Sequence, residues 1–360
     1  MKYLIYTGPG IGDLMMQLPV ARRLRENDKN AKIYLFANMG GKNDYGRINS
    51  VRELMAIQDL INGYFYYSSK DIPNTLKWIL KLKAQHIDYG FVQQADIGNK
   101  TSMYPCKIIN FIAKKTIGYV CQGNSKIHYD IELPGGTVLG NVNRYMNILD
   151  SLGYNQLVSY EKLLDIQRLV EKVKIKFNFK LCNTRKITIV VGSAALSAVI
   201  NGRKIEKFTK NWNFCRWGQL AELFSNNGFE VFLLGGKQER KEFEIVNLNM
   251  KNHNHIHNFI GQCSIIDSLW IVSNCDLVIG SDTGLLHCAS ALNTASLTLF
   301  GCTDPKEFLA YGDKSYYIFT HEECSPCYPT DRMVLCEDVK CMNNISVEKV
   351  FRKSIEILSE

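Results

Sequence analysis

Ile279-Gly280-Ser281-Asp282-Thr283-Gly284-Leu285-Leu286-His287, closed by Phe300-Gly301-Cys302-Thr303-Asp304-Pro305, is the stretch on which the reading of this chain turns. Asp276 to Ile279 has the apolar text of a buried parallel strand. A Gly-Ser-Asp-Thr-Gly turn comes next, then a small-residue helix from Leu285 to Leu292 and a second strand from Ser296 to Phe300. Strand, helix and strand so closely spaced make a βαβ unit in a parallel sheet. The helix begins just past the strand end, so its first backbone N–H groups lack partners and its dipole presents positive charge there. That suits an anion such as a diphosphate. Ser281, Asp282 and Thr283 are also good N-caps, so the same text serves a well-capped crossover helix with no ligand.

Outward from that stretch the alternation continues. Lys186 to Val191 reads as a strand ending in Gly192-Ser193, Trp217 to Asn226 as a helix, and Phe229 to Leu234 as a strand stopped by Gly235-Gly236. Helices at Glu239–Leu248 and Ile265–Ser273 flank a short strand, Ile256–Asn258. The first half starts the same way: strand Lys2–Thr7, helix Gly12–Arg25 with Leu14, Leu18, Ala21 and Leu24 on one face, and strand Lys32–Ala37. Later strands are expected at Tyr89–Gln93 and Lys115–Tyr119. Residues 141–182 read mainly as helix, with a charged stretch from Asp165 to Lys176, and Ala194 to Thr209 as a long loop. Two α/β halves of one plan predict two Rossmann-like domains, 1–165 and 166–360, facing each other across a cleft.

The length of 360 residues suits two such domains better than one core. Hydrophobic residues make up 46% and charged residues 22%, the balance of a soluble globular protein. No apolar run reaches the ~18 residues of a membrane helix, and Met1 to Gly8 is too short an apolar stretch for a signal peptide. Cytoplasmic residence is the expectation, with the twelve cysteines held as thiols or metal ligands rather than disulfides. The net charge of +8 is spread over scattered lysines and arginines, with no basic block and no nucleic-acid module. DNA or RNA is therefore not an expected partner. A field of that sign suits anionic small substrates or an anionic membrane surface, though a merely basic surface has the same composition.

Gly8-Pro9-Gly10-Ile11-Gly12-Asp13 joins the first strand to the first helix. Its spacing is G-x-G-x-G rather than the dinucleotide fingerprint G-x-G-x-x-G. The second strand closes on Phe36-Ala37-Asn38, without the acid that would hold a ribose, so nicotinamide chemistry is disfavoured. Gly10 and Gly12 still let backbone approach a ligand, and Asp13 at the helix start is either a general base or an N-terminal cap. Lys210-Asn211-Trp212 comes after the first strand of the second half, where a lysine can neutralise phosphate or simply be exposed. His287, one turn into the decisive helix, is a ligand contact or a structural histidine. Cys324-x2-Cys327-x8-Cys336-x4-Cys341 could hold zinc or iron or be free thiols; no metal and no cofactor is the expectation adopted. Cys215 and Cys275 read as small apolar residues.

Taken in order, Gly12-Asp13-Leu14 with Leu18-Pro19 and Leu24, Lys210-Asn211-Trp212 with Trp217, Ser281-Asp282-Thr283-Gly284-Leu285-x-His287, Phe300-Gly301-x-Thr303-Asp304-Pro305 and the Cys324–Cys341 tail resemble glycosyltransferase family 9, the heptosyltransferases of the lipopolysaccharide inner core. The likeness spans nearly the whole chain, and the Ser281–Pro305 block carries most of its specificity. It implies a GT-B fold with the acceptor on the N-terminal domain and the donor on the C-terminal one. It also implies an inverting transfer from a nucleotide-diphosphate sugar, normally ADP-heptose, without a catalytic metal. Under it Asp13 becomes the base, Gly10 and Gly12 the acceptor-side loop, and Ser193, Lys210, Asp282, Thr283, Gly284 and His287 the donor contacts, with Glu239 a weaker nucleotide contact. The implied acceptor is a lipid-linked anionic saccharide met at the cytoplasmic face of the inner membrane. Another sugar nucleotide, a protein acceptor, a non-catalytic nucleotide-sugar binder and an epimerase of the same shape stay open.

Overall fold

The computed structural model describes residues 1–39, 45–92, 100–120, 128–134, 140–156, 159–175 and 184–360. The chain divides into two compact units, Met1–Asp165 and Ile166–Glu360. In the first, β1 (Lys2–Thr7), α1 (Ile11–Asn27), β2 (Lys32–Asn38), α2 (Tyr45–Met55), β3 (Gly63–Tyr67), α3 (Ile72–Lys83), β4 (Tyr89–Val92), α4 (Lys100–Ile112), β5 (Lys115–Val120), β6 (Ile131–Pro134) and α5 (Asn141–Ser151) succeed one another. The six strands pair in the order β3-β2-β1-β4-β5-β6, all parallel. Strands buried on both faces should be apolar without alternation, and β1 is: Tyr3 to Thr7 is continuously buried. Leu4, Tyr6, Phe36, Phe65 and Ile109 belong to the core beneath α3 and α4.

The second unit holds α6 (Ile166–Val170), β7 (Lys186–Val190), β8 (Leu196–Ile200), β9 (Arg203–Lys207), α7 (Phe214–Asn226), β10 (Glu230–Leu234), α8 (Arg240–Asn249), β11 (Ile256–Asn258), α9 (Ile265–Ser273), β12 (Leu277–Ser281), α10 (Gly284–Ala291), β13 (Ala295–Phe300), α11 (Pro305–Phe308), β14 (Ser315–Phe319), α12 (Arg332–Leu335), α13 (Lys340–Asn343) and α14 (Val347–Ser359). Its main sheet runs β11-β10-β7-β12-β13-β14, again parallel throughout. Counting each unit's strands in chain order, with the β8–β9 pair set aside, both sheets read 3-2-1-4-5-6. That is the Rossmann arrangement, and its strand order reverses at β1/β4 in one unit and at β7/β12 in the other. Ligands of such sheets sit beyond the strand carboxyl ends at that reversal.

Two expectations need correction. The described residues of 141–182 are not mainly helical: α5 stops at Ser151, and only the five residues of α6 come after it among them, 157–158 and 176–182 lying outside the described residues. Gly153, at φ +76°, ends α5 by donating its N–H to Asp150, while Tyr154 N–H returns to Leu149 O; this αL stop needs glycine. Ala194 to Thr209 is not a loop but carries the antiparallel hairpin β8–β9. Its two-residue turn is Asn201-Gly202, both with positive φ, the pairing that matches strand twist. The expected strand Tyr89–Gln93 is β4 over Tyr89–Val92, and Gln93 lies outside the described residues.

Candidate functional site

The mouth of the second sheet is assembled from four loops. After β12 the chain turns at Asp282, and Thr283 takes the N-cap position in extended conformation without a side-chain capping bond. Thr283, Gly284 and Leu285 are half-exposed, so the amino end of α10 is open and its leading amides lack the usual hydroxyl cap. Lys210 reaches this point from the loop after β9. Its Nζ donates to Asp282 O at 3.0 Å and pairs with Asp282 Oδ2 at 3.2 Å. The side chains are only 15% and 9% exposed, so water screens the pair little. A cation beside a helix amino terminus is disfavoured by the dipole. Here the Asp282 carboxylate balances both positive groups, a place that an incoming anion could share.

Two neighbouring residues brace the lysine loop. Trp212 is buried, donates its backbone N–H to Ser281 Oγ at 3.3 Å and its Nε1–H to Ile345 O at 3.0 Å, and meets Trp217 edge-on at 4.7 Å. Ser193, at the end of β7, is buried and donates its hydroxyl to Asn211 Oδ1 at 2.5 Å. It therefore ties the lysine loop to the strand end, a bracing role not expected from the sequence, and Asn211 is the partner that sequence reasoning missed. His287 is buried one turn into α10. Burial holds its imidazole below the usual range, Lys210 adds to that depression and Asp282 opposes it.

Glu239 completes the mouth. It lies past β10 and the Gly235-Gly236 turn, is 5% exposed, and its Oε2 has no hydrogen-bond partner among the described residues, while Oε1 accepts from Gln238 Nε2 at 2.9 Å. Gly192, at φ +90°, passes so close that a Cβ there would lie 2.4 Å from Glu239 Cγ. An unpaired buried carboxyl oxygen costs free energy unless a ligand hydroxyl satisfies it. An acid after the second strand of a Rossmann sheet is where a ribose diol binds.

In the first unit, Asp13 sits in the first turn of α1 with Oδ2 accepting Gly10 N–H at 2.7 Å. Gly10 is the N-cap, and Cβ atoms at Gly8 or Gly10 would come within 2.4 and 2.7 Å of the Asp13 carboxyl group, so the glycines make room for that acid. Gly12, expected to open the first helix and to belong to the acceptor-side loop, is the second residue of α1.

The cysteine tail gathers against the Phe300–Pro305 segment: Cys327 N–H and Tyr328 N–H both donate to Cys302 O, at 3.0 and 2.9 Å. Burial, reinforced by Cys302, Cys327, Cys324 and Cys336 nearby, pushes the Cys341 thiol up to about 12. Among the described residues no group of three or more His, Cys, Asp or Glu side chains is placed to hold a metal ion. The tail also braces the hairpin, for Lys207 Nζ donates to Cys336 O at 2.7 Å and Thr209 Oγ1 to Met333 O at 2.8 Å.

Two Rossmann-like units in one chain, with an open helix terminus at the strand reversal of the second, define the GT-B class. Residues 172–335, all within the second unit, match glycosyltransferase family 9 (heptosyltransferase). Over 100 residues the chain is 29% identical to lipooligosaccharide heptosyltransferase 2 of Haemophilus ducreyi, covering 27% of this chain and 29% of that protein. Over 120 residues it is 29% identical to lipopolysaccharide heptosyltransferase 1 of Pseudomonas aeruginosa, 33% of each. The chain thus spans about a third of the length of these relatives. In fold it is similar to the ADP-heptose lipopolysaccharide heptosyltransferase II of Escherichia coli (TM-score 0.66, 16% identity, 100% and 99% of the two chains). It is equally similar to a glycosyl transferase of family 9 from Veillonella parvula (TM-score 0.69, 15% identity, 99% and 97%). Among the described residues no helix is long and apolar enough to cross a membrane.

Proposed function

We propose that the chain is an inverting glycosyltransferase that moves a heptose from ADP-heptose to a lipid-linked, anionic saccharide of the lipopolysaccharide core. The reading is carried by the Lys210–Asp282 pair at the open amino end of α10, with the unpartnered Glu239 oxygen on the neighbouring loop. In this scheme the Ile166–Glu360 unit binds the donor. Glu239 takes the ribose hydroxyls, and Lys210 with the amides at Thr283 and Gly284 takes the diphosphate. As the bond between the anomeric carbon and the diphosphate oxygen breaks, the leaving group gains negative charge, which the lysine and the helix terminus stabilise without reorganisation. The Met1–Asp165 unit binds the acceptor. Its hydroxyl attacks the anomeric carbon from the opposite face, a new C–O bond forms, and the hydroxyl proton passes to Asp13. The Gly10 N–H bond orients that carboxylate. The acceptor's lipid would bring the enzyme to the cytoplasmic face of the inner membrane.

Calorimetric titration with ADP-heptose and with UDP- and GDP-sugars tests the donor. Lys210→Ala should weaken ADP-heptose binding by about 1.5–3 kcal/mol, the range for a hydrogen bond to a charged group. Asp13→Ala should leave donor binding intact and abolish transfer. A second reading draws on the Asp13–Gly10 bond: if that acid only caps α1, the chain binds a nucleotide sugar without transferring it, and Asp13→Ala would leave its biological activity unchanged.

A further inference from the structure

Helix α3, Ile-Pro-Asn-Thr-Leu-Lys-Trp-Ile-Leu-Lys-Leu-Lys, packs only one side on its unit. Thr75 and Leu82 are buried, and Trp78 and Ile79 rest on the core, Trp78 meeting Phe65 at 5.5 Å. Ile72, Leu76 and Leu80, spaced i, i+4 and i+8 and hence stacked along one edge, are 50%, 54% and 64% exposed. The stripe does not end with the helix. Lys83 donates to Phe111 O and lies 4.8 Å over the Phe111 ring, and that ring, at the end of α4, is itself 55% exposed. Four large apolar side chains therefore share one surface of the Met1–Asp165 unit.

The charges within α3 have one sign. Within α3 stand Lys77, Lys81 and Lys83 and no acid. The nearest carboxylate in sequence, Asp71, is occupied at the N-cap, accepting from Asn74 N and Nδ2. Lys114, just past α4, is neutralised by Asp88 at 2.8 Å, while Lys115 beside it is exposed. The C-terminal helix α14 offers a contrast, for it mixes Glu348 and Glu356 with its cations. Solvent alone does not favour an unpartnered Ile-Leu-Leu-Phe stripe. A bilayer interface does: apolar side chains enter the acyl boundary, lysine stems lie along it, and ammonium groups reach lipid phosphates.

We infer that α3 and the end of α4 form a docking surface for an anionic phospholipid bilayer, seating the first unit on the membrane by Ile72, Leu76, Leu80 and Phe111, with Lys83 at the Phe111 ring and the Lys77 and Lys81 ammonium groups beside the stripe, 5.4 and 5.7 Å over the Trp78 ring. The purpose of this surface rests on the lipid-borne acceptor proposed above; its geometry does not.

Sedimentation of the full chain with vesicles tests it. The protein should pellet with phosphatidylcholine–phosphatidylglycerol vesicles, far less with phosphatidylcholine alone, and be released by salt. Leu76→Ser with Leu80→Ser should lower the partition coefficient by about tenfold or more. Lys77→Glu with Lys81→Glu and Lys83→Glu should remove the preference for anionic lipid. Both variants should keep the parental Tm and ADP affinity, showing that fold and donor unit are intact. Parental partitioning by the double-serine variant overturns the inference. So does a parent that ignores anionic vesicles yet forms, by light scattering, an oligomer that the serine variant dissolves, because the face would then be a self-association surface. Transfer from ADP-heptose to a water-soluble acceptor fragment reads the proposed activity separately, so loss of one claim is distinguishable from loss of the other.

Discussion

Glu239 shows how much one atom can say. Its Oε2 is buried and without a partner among the described residues, and it is crowded by Gly192. Replacing the acid by Gln removes a buried charge yet keeps the shape. Glu239→Gln is therefore expected to hold or raise the stability of the free protein by up to about 1 kcal/mol while weakening nucleotide binding by about 1.5 kcal/mol or more. Thermal unfolding and ADP calorimetry on the same variant check the two halves. His287 makes a separate prediction. Its folded pKa is lowered by burial, so between that value and 6.5 the unfolded chain holds more protons than the fold. Stability should be full above about 6.5 and fall as pH drops through and below it. His287→Gln should flatten that acid limb in denaturant titrations at successive pH values. The candidate residues are legible singly, because Lys, Asp, His and Gly at strand ends are chemically suggestive. Their partners are not: no residue near Ser193 in sequence says that its hydroxyl is given to Asn211.

At the scale of elements, the decisive segment reads nearly as it folds, β12, α10 and β13 each lying within two residues of the expected bounds. Strand and helix periods are local properties, and Gly-rich turns punctuate them. The β8–β9 hairpin is equally local, its Asn201-Gly202 turn lying between two β-rich runs, yet the strand–helix alternation around it makes the segment read as a loop. The lysine loop beyond it depends on Trp212. Trp212→Phe keeps the ring against Trp217 and loses the bond to Ile345 O, which Arg216 Nη1 still satisfies at 2.8 Å. The cost should be small, about 0.5–1.5 kcal/mol, with donor affinity retained. Trp212→Ala empties a fully buried site and should cost about 3–5 kcal/mol. It should also weaken donor binding, because Lys210 loses its anchor two residues away. Urea unfolding and ADP calorimetry separate these outcomes.

For the whole molecule, two sheets of identical strand order each place a loop-rich mouth at the point of reversal. Binding of ADP should therefore slow amide exchange in the second unit at α10 and in the loops after β7 and β10, and leave the Gly8–Asp13 loop unchanged. Exchange measured by mass spectrometry, with and without ADP, checks this; protection spread over the first unit instead would move the nucleotide site. The strand-and-helix succession, the glycine turns and the N-terminal ends of the helices were set by the sequence, because each depends on residues a few positions apart. Strand neighbours were decided only in three dimensions, since β1 lies beside β4 and β7 beside β12 across long intervening chain. The same holds for the ion pair between Lys210 and Asp282, 72 positions apart, and for the oxygen left unsatisfied on Glu239. Contacts of that kind arise from packing many segments together, and no local preference encodes which side chains the packing will leave facing one another.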